Sequence, residues 1–314
     1  DTLYWSKVMS SNLGSNWSSE LVRARLTAKL GADLAADLEP VYPASNPTTA
    51  SGAGLTAGTP LPPNGWGSPA VREALQLVEV LLGGPAKPPM RPAPPLGVIR
   101  LNGGASNQWV VDGQHSATGK PLLANDTHMP VAMPALWYQV HLVGGRYNVT
   151  GTSFPGTPGV VVGHNEHCAW GLTTAWHDAQ DLYVEKINPA NPHEVEFEGR
   201  WEPVEVVQEI ILVKDRPEPV VEEVLITRHG PIISKLVGEE KPLALRWVAL
   251  ERSDLLRAVI EYDRASNWQE FRAALAHWST PSNNFVYADV EGTIGFLQAG
   301  WMPVRAAGYG IAPM

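Results

Sequence analysis

Residues 103–109 read Gly-Gly-Ala-Ser-Asn-Gln-Trp and form the most informative stretch of the chain. They place Ser106 after the small residues Gly-Gly-Ala, which form a flexible segment, and at the start of an apolar predicted strand that continues to Asp112. A self-cleaving precursor would expose a new N-terminal nucleophile at such a position. Taken alone, the pattern also fits an ordinary loop serine in front of a strand, so the catalytic interpretation depends on segments further downstream.

Three downstream segments support that interpretation. They read Asn125-Asp126-Thr127-His128, then Gly163-His164-Asn165 with Ala169-Trp170-Gly171-Leu172-Thr173, and then Asn284-Phe285-Val286-Tyr287-Ala288-Asp289 followed by Gly292 and Ile294-Gly295. Together with Ser106-Asn107-Gln108-Trp109, these blocks resemble the penicillin acylase (penicillin amidase) family of N-terminal-nucleophile hydrolases in order and spacing. The resemblance runs from about Asp1 to the last residues. It implies an α+β fold, a four-layer αββα sandwich that is strand-rich after residue 106, and it predicts that this chain is a truncated fragment.

The composition sets outer limits on the function. The 314 residues are enough for one large or two ordinary domains. A net charge of −9 argues against nucleic-acid binding, and no apolar run approaches the roughly 20 residues of a transmembrane helix. The one cysteine, Cys168, excludes a disulfide within the chain.

Differences in composition and residue pattern divide the chain into three regions. Residues 1–40 read as helical and, by the resemblance, as the C-terminal helical part of a first (α) subunit; Asn16 is a candidate helix cap and Gly31 a stop. Residues 41–105 are rich in Pro, Gly and Ser and predict a linker or spacer propeptide. Residues 106–314 would be the N-terminal part of the second (β) subunit, which carries the nucleophile.

Alternating or apolar runs predict a strand-rich region after Ser106. These runs lie at 107–112, 119–124, 136–143, 147–154, 159–163, 168–174, 181–187, 193–197, 201–213, 219–227, 231–236 and 243–249. Residues 197–201 (Phe-Glu-Gly-Arg-Trp) predict a tight hairpin. Ser266 and Gln269 form a capping-box pattern in front of a late helix, and Glu291-Gly292 predicts the turn of a final hairpin.

An N-terminal serine would supply a nucleophile and a base in one residue. Once the Ala105–Ser106 bond is cleaved, the Ser106 hydroxyl can attack an amide carbonyl. Its own α-amino group, with an ordinary pKa of about 7.7 to 8.0, can accept the proton directly or through a water. The sequence leaves open whether the bond is cleaved or the chain is an unprocessed precursor.

The resemblance also implies the supporting catalytic residues. His128 lies 22 residues after Ser106, where some family members carry a histidine that orients the serine; a solvent-exposed histidine at a strand end is the alternative. Asn284 matches the side-chain donor of the family's oxyanion hole, although its neighbour Asn283 stays open as an alternative. The backbone N–H of Thr174 or Ala175 matches the main-chain donor.

The resemblance further implies a structural calcium ion and no organic cofactor. Asp178 and Asp181 occupy positions where relatives bind calcium, and Glu20 would be a ligand from the first subunit. Hard oxygen ligands suit that ion. Two aspartates in a solvated loop are the alternative interpretation.

The residues at the family's acyl-pocket positions indicate which kind of acyl group the substrate carries. The positions that line the family's pocket correspond to Met129, Val162 and Leu172, which are aliphatic where phenylacetyl-preferring enzymes are aromatic. We therefore expect a small-molecule N-acyl amide with an aliphatic acyl group, either a β-lactam or another N-acyl compound such as an acyl-homoserine lactone or a lipopeptide.

The resemblance also sets expectations for partners and location. The partners would be the α and β chains of one precursor, in the periplasm or outside the cell, with no nucleic acid and no transmembrane segment.

Two other classes of function remain open at this point. A metal-dependent hydrolase could use His164, His167, Asp178 and Asp181, although strand alternation would send the two histidines to opposite faces. A β-rich binding module without activity, or an inactive precursor fragment, is the second alternative, since the chain has no GxSxG, GxGxxG or HExxH motif.

Overall fold

The computed structural model describes residues 2–38, 106–129, 133 and 135–305. The predicted linker or propeptide over 41–105, including Ala105, lies outside the described residues. The described part is a strand-rich α+β structure, which confirms the predicted fold class at that level.

Helices occur in the first segment and again late in the chain. Their bounds are α1 Thr2–Gly14, α2 Trp17–Leu30, α3 Ala32–Asp37, α4 Ser234–Val237, α5 Leu255–Tyr262 and α6 Trp268–Leu275, with short 3-10 helices at Gly113–His115 and Val248–Leu250. Helix α2 stops at Gly31 as the sequence predicts, but with φ +80° and ψ 160° this glycine lies outside the expected left-handed helical region. The helical prediction for residues 1–40 therefore agrees with the structure over 2–38.

Among the described residues, the first strand begins at the predicted nucleophile. Their bounds are β1 Ser106–Val111, β2 Leu122–Thr127, β3 Tyr138–Gly144, β4 Tyr147–Ser153, β5 Val162–His164, β6 Cys168–Thr174, β7 Gln180–Val184, β8 Ile187–Asn188, β9 Asn191–Phe197, β10 Arg200–Pro203, β11 Glu205–Ile211, β12 Val220–Thr227, β13 Gly230–Pro231, β14 Leu243–Trp247, β15 Asn283–Asp289 and β16 Ile294–Ala299.

The chain forms two compact units, and the first contains the described residues of 2–15, 106–179 and 247–303. Its six-stranded antiparallel sheet has the order β16–β15–β6–β5–β4–β3. In the middle of this sheet, Trp170 of β6 faces Gly163 of β5 on one side and Tyr287 of β15 on the other. Beyond Trp170, the described residues give β6 a hydrogen-bonded strand partner on the β15 side alone.

An aromatic core fills the space between this sheet and helices α5 and α6. The fully buried rings belong to Trp170, Tyr262, Phe271, Phe285 and Tyr287. The centroids of Trp170 and Tyr262 lie 5.4 Å apart in an edge-to-face arrangement, and those of Phe271 and Tyr287 lie 5.1 Å apart. Aromatic pairs of this geometry each contribute about 0.5 to 1.5 kcal/mol beyond their area burial. This part of the first unit is therefore a rigid support.

The hairpin of β1 and β2 is a separate two-stranded sheet in the first unit. Its antiparallel register places Ser106 opposite Thr127 and Gln108 opposite Asn125. Because side chains alternate along a strand, Ser106 and Gln108 share one face, and both are half-buried while Asn107 and Trp109 are exposed. The nucleophile candidate therefore faces the protein interior.

The second unit contains the described residues of 16–38, 180–246 and 304–305. Its core comprises Leu21, Leu182, Ile233, Val237 and Leu243. The sheets of this unit are β10–β9–β8, β11–β12–β13 and β14–β7. The predicted hairpin at 197–201 is confirmed, with Phe197 paired to Arg200 and positive φ at the two turn residues Glu198 and Gly199.

Three local predictions need correction. The predicted strand at 231–236 gives way to α4 at Ser234, and Gly238 ends that helix in the left-handed conformation. The predicted run at 201–213 is two strands, because the chain leaves the ladder after Pro203. The cap of α6 is one residue later than predicted, since the Asn267 side chain accepts from the Glu270 N–H at 2.9 Å.

In the part of the chain that the structure describes, no helix combines the length and the apolar character that crossing a membrane requires.

Candidate active site

Ser106 lies in the wall of a largely apolar cavity within the first unit. The cavity volume is about 70 Å³. Its polar lining side chains are Ser106, Thr127, Thr157, Thr174 and Asn283. The first residue of β1, the end of β2 opposite it and the end of β6 therefore meet at one cavity.

Two of the three predicted acyl-pocket residues line this cavity. Met129 and Leu172 contribute to the wall, and Val161 contributes to it in place of its predicted neighbour Val162. The sequence analysis did not identify the other apolar lining residues, which are Met9, Leu13, Trp137, Phe154, Leu255, Leu256, Val259, Trp278 and Pro281. Met9 and Leu13 are four residues apart on α1 and so lie on one helix face, a signal that the sequence contains.

His128 is a neighbour of the cavity residue Met129, but its ring contacts a different group from the predicted one. Its Nε2 lies 2.8 Å from Oδ2 of Asp126, and 42% of its side chain is exposed. The described hydrogen bonds thus join His128 to Asp126 rather than to Ser106. In this arrangement the histidine lies at the end of β2, close to the position of the nucleophile.

The two candidate asparagines for the oxyanion lie at the start of β15 and differ in surroundings. Asn283 is buried, lines the cavity and donates from Nδ2 to the Thr173 carbonyl at 3.1 Å. Asn284 donates from Nδ2 to Thr173 Oγ1 and to the Thr174 carbonyl, each at 3.3 Å, and accepts from Gln298 Nε2 at 3.2 Å. Both side chains therefore reach the end of β6.

The two predicted main-chain donors also differ. The Ala175 N–H donates to the Ser282 carbonyl at 3.0 Å. Thr174 lines the cavity. The N–H and C=O groups of Leu172 are directed away from β15, because both bind the Asn125 side chain. In an antiparallel strand the main-chain direction repeats every second residue, so the Thr174 N–H is directed to that same open edge.

Asn125 joins the β1–β2 hairpin to β6, and the sequence analysis assigned it no role. Its Nδ2 donates to the carbonyls of Asn107 and Leu172, each at 3.0 Å, and its Oδ1 accepts from the Leu172 N–H at 3.1 Å. A side chain at Gly171 would place its Cβ 2.7 Å from Cβ of Asn125, which is too close for two carbon atoms. The occurrence of Asn125 and Gly171 in two separate sequence blocks was the signal that could have identified this contact.

The residues predicted for calcium lie in different surroundings. In the second unit, Glu20 is buried and accepts from the Leu182 N–H at 3.1 Å. The Asp181 carboxylate accepts from Arg305 Nε at 2.8 and 3.0 Å. Asp178 belongs to the first unit. Among the described residues no three His, Cys, Asp or Glu side chains form a group that could hold a metal ion.

The alternative of a metal-dependent hydrolase lacks a ligand cluster in the same described residues. His164 Nδ1 lies 3.2 Å from the Asn165 carbonyl and is exposed, as is His167. His164, His167, Asp178 and Asp181 belong to no group of three potential ligands. The Cys168 thiol is also unsuited to chemistry, because burial raises its pKa to about 12.

Comparison with known proteins identifies the family. The model of the family described as penicillin amidase matches residues 1–314. Acyl-homoserine lactone acylase QuiP from Pseudomonas aeruginosa is 35% identical over 222 residues, which are 67% of this chain and 26% of that protein. Penicillin acylase 2 proenzyme from a Pseudomonas species is 34% identical over 217 residues, or 64% of this chain and 27% of that protein.

A solved structure is also similar to this chain. Thermostable penicillin G acylase from Alcaligenes faecalis is 28% identical, with a TM-score of 0.49, over 56% of this chain and 34% of that one. The chain spans about a quarter of the length of the curated relatives it matches. Because the family model matches every residue, the chain belongs to the penicillin amidase family.

Proposed function

We propose that this chain carries the nucleophile of an amide hydrolase that cleaves N-acyl compounds through an acyl-Ser106 intermediate. The observation that carries the proposal is the position of Ser106, at the first residue of β1 and in the wall of an apolar cavity. An acyl chain is the part of such a substrate that an apolar cavity would bind. The acylase names of the relatives agree with this reaction class.

The nucleophile would be released by cleavage of the Ala105–Ser106 bond. The new α-amino group lies on the same residue as the hydroxyl and has an ordinary pKa of about 7.7 to 8.0, so it is available as a base near neutral pH. The printed name of one relative, penicillin acylase 2 proenzyme, agrees with a processed precursor. Before cleavage that nitrogen is a peptide nitrogen, so the base would be missing and the nucleophile masked.

Acyl transfer would then proceed in two steps, which are formation of the acyl-serine and its hydrolysis. The α-amino group takes the hydroxyl proton, directly or through a water, while Oγ attacks the amide carbonyl and its π electrons move to the oxygen. As the tetrahedral intermediate collapses, the C–N bond breaks and the leaving amine takes that proton. Water then attacks the acyl-serine by the same route and releases the acid.

The negative oxygen of each intermediate needs hydrogen-bond donors. We assign this role to the side-chain amide of Asn284 and to the main-chain N–H of Thr174. The contact of Asn284 Nδ2 with the Thr174 carbonyl supports the pair, since it brings the amide to the end of β6 beside the cavity. Thr174 is better supported than Ala175, whose N–H already donates to Ser282. His128 is proposed to orient the serine in the processed enzyme, after exchanging its contact with Asp126.

The size of the cavity supports an aliphatic acyl group. Its volume of about 70 Å³ is half of the roughly 150 Å³ of an apolar cavity that admits benzene. A phenyl ring would therefore require the wall to move, whereas an alkyl chain is narrower in cross-section and can adapt its conformation to a narrow cavity. We propose N-acyl amides with aliphatic acyl chains as the substrate class, which is closer to the acyl-homoserine lactone relatives than to those named for penicillin G.

Three finer features are proposed on the family resemblance. The sheet of the first unit would be one layer of a four-layer αββα sandwich, the protein would act in the periplasm or outside the cell, and a calcium ion would join the two subunits. The calcium proposal predicts a fall in melting temperature on chelation that added Ca²⁺ restores. An unchanged melting temperature on chelation would contradict the calcium proposal.

The test of the proposed function combines intact-mass analysis with N-terminal sequencing of the full-length protein. We expect a new terminus that reads Ser-Asn-Gln-Trp in the wild type, its absence in Ser106→Ala, and slow but detectable processing in Ser106→Cys, which keeps a nucleophile. Octanoyl and hexanoyl amides should be hydrolysed faster than phenylacetyl amides. Activity that survives in Ser106→Ala, or that is lost on chelating zinc, would refute the proposed mechanism.

A further inference from the structure

The side chain of Asn125 takes the place of a missing strand at the open end of β6. The neighbouring strand β5 pairs with β6 at Ala169 and Trp170, and Leu172 is the next residue that presents its N–H and C=O to that side. Asn125 satisfies both groups, since Nδ2 donates to the Leu172 carbonyl at 3.0 Å and Oδ1 accepts from the Leu172 N–H at 3.1 Å. This is the two-bond pattern that a paired strand residue would form.

The second hydrogen of the same amide reaches the nucleophile's own strand. Nδ2 also donates to the carbonyl of Asn107, the residue directly after Ser106, at 3.0 Å. One amide thus connects the cavity wall at Leu172 with the peptide group between Asn107 and Gln108 in β1. Gly171 makes the approach possible, because a Cβ there would lie 2.7 Å from Cβ of Asn125.

We propose that Asn125 is a positioning residue, which fixes the distance between Ser106 and the acyl-binding wall. The inference rests on the proposed function, because it assigns the distance a role in acylation. A second contact, from Gln108 Nε2 to the Asn284 carbonyl at 3.1 Å, holds the same face of β1 against β15. With both contacts present, the nucleophile is held between the wall and the proposed oxyanion donor.

Asn165 offers a matched control at the other end of β6. Its Nδ2 donates to the carbonyls of Asp263 and Ala265 at 3.1 and 2.8 Å, and its Oδ1 accepts from the N–H groups of His167 and Cys168, each at 2.8 Å. Substitution by Asp removes two donors to main-chain carbonyls at either position and leaves the acceptor role intact. The two variants therefore differ in location rather than in chemistry.

The experiment compares Asn125→Asp, Gly171→Ala and Asn165→Asp in the full-length protein with an octanoyl amide, and corrects for folded enzyme by the amplitude of the thermal unfolding transition of each variant. We expect kcat to fall about tenfold to a hundredfold in Asn125→Asp and in Gly171→Ala, with KM within twofold, because displacement of a reacting group by about 1 Å has effects of that size. In Asn165→Asp we expect kcat within twofold and a lower melting temperature.

Each outcome bears on a separate claim. An equal loss of kcat in Asn165→Asp, or an unchanged kcat in Asn125→Asp, overturns the positioning role while Ser106→Ala still reports on the proposed function. Activity in Ser106→Ala overturns the proposed function itself. If Asn125→Asp does not fold, Gly171→Ala decides, because it displaces the amide without changing it.

Discussion

The two ends of strand β6 have opposite surroundings although each is held by an asparagine side chain. At the start, Cys168 is buried and its Sγ donates to the Ala265 carbonyl at 3.2 Å, next to the four hydrogen bonds of Asn165. At the far end, Leu172 and Thr174 border the cavity that Ser106 also lines. We refer to these as the closed end and the open end of β6.

The difference shows how one strand can serve both stability and binding. At the closed end, ring packing against Tyr262 and Phe271 fills the space beside Trp170, as expected for the density of protein interiors. At the open end, the described residues give β6 no paired strand on one side. The side-chain amide of Asn125 forms hydrogen bonds with the main chain of Leu172 there instead. Substitutions at the open end should therefore affect catalysis more than those at the closed end, which should mainly change stability.

The largest expected effect separates the two asparagines at the open end. We predict that Asn284→Ala lowers kcat by about 10² to 10³, the usual cost of one oxyanion donor. Asn283→Ala should lower the melting temperature, since its buried amide bonds the Thr173 carbonyl, with less than a tenfold change in kcat. Steady-state kinetics and thermal unfolding of both variants provide the measurement, and the reverse pattern would assign the donor to Asn283.

A smaller effect concerns the choice of acyl chain at the open end. Met129→Phe should fill part of the cavity and lower the ratio of kcat/KM for octanoyl over acetyl amides about tenfold, the scale for one or two methylenes in an apolar pocket. Val162→Phe is the control, because Val162 does not line the described cavity. An equal fall in both variants would mean that Val162 belongs to the pocket as the family resemblance implies.

At the closed end, a buried carboxyl should make stability depend on pH. Burial raises the pKa of Asp263 to about 7 from its ordinary 3.8, although the Val160 N–H and the Arg264 charge oppose the shift. The folded state binds the proton more tightly, so the carboxyl favours folding below pH 4, loses that contribution as the pH rises to about 7 and opposes folding above it.

The test of this dependence is the Asp263→Asn variant, which cannot ionise. The melting temperature of the variant minus that of the wild type should be more positive at pH 8 than at pH 5. Asp254→Asn, at the exposed start of α5, provides a control for the loss of a carboxylate at the protein surface. A difference that is constant across this range would contradict the prediction.

The smallest effect is expected at Cys168, again at the closed end. Because the thiol is buried and its pKa is raised to about 12, native protein should not react measurably with iodoacetamide. Unfolding in denaturant should expose it, and the chain has one cysteine to label. Mass analysis before and after denaturation gives the answer, and rapid labelling of native protein would show that the closed end opens readily.

Much of the fold could be predicted from the sequence where the signals are local. Alternation predicted the strands around Ser106 and Asn284, and two glycines with positive φ marked the end of helix α2 at Gly31 and the turn of the last hairpin at Gly292. The errors have local causes too. Asn267 is a better cap than Ser266 in its actual geometry, and α4 replaces a strand because its buried residues Ser234 and Val237 suit a short helix beside Gly238.

The candidate site was only partly predictable because its contacts are long-range. The blocks around Ser106, Leu172 and Asn284 were recognised, and cavity or hydrogen-bond contacts bring their strands together. The spacing of Met9 and Leu13 predicts that they share one face of α1, but nothing local shows that this face borders the cavity of Ser106, about a hundred positions further along the chain. The sequence also could not show that Val161 rather than Val162 lines the cavity, because this depends on the actual position of β5 in the sheet.

The β1–β2 hairpin has its own ladder and is attached to the six-stranded sheet through the amides of Asn125 and Gln108. Cleavage of the Ala105–Ser106 bond would thus free the end of a separate hairpin and leave the strand pairing of the six-stranded sheet unchanged. Maturation would need no refolding of the scaffold. Cleavage could therefore convert an uncut chain into one with a free N-terminal serine, with changes only in side-chain contacts such as those of Asn125 and Gln108.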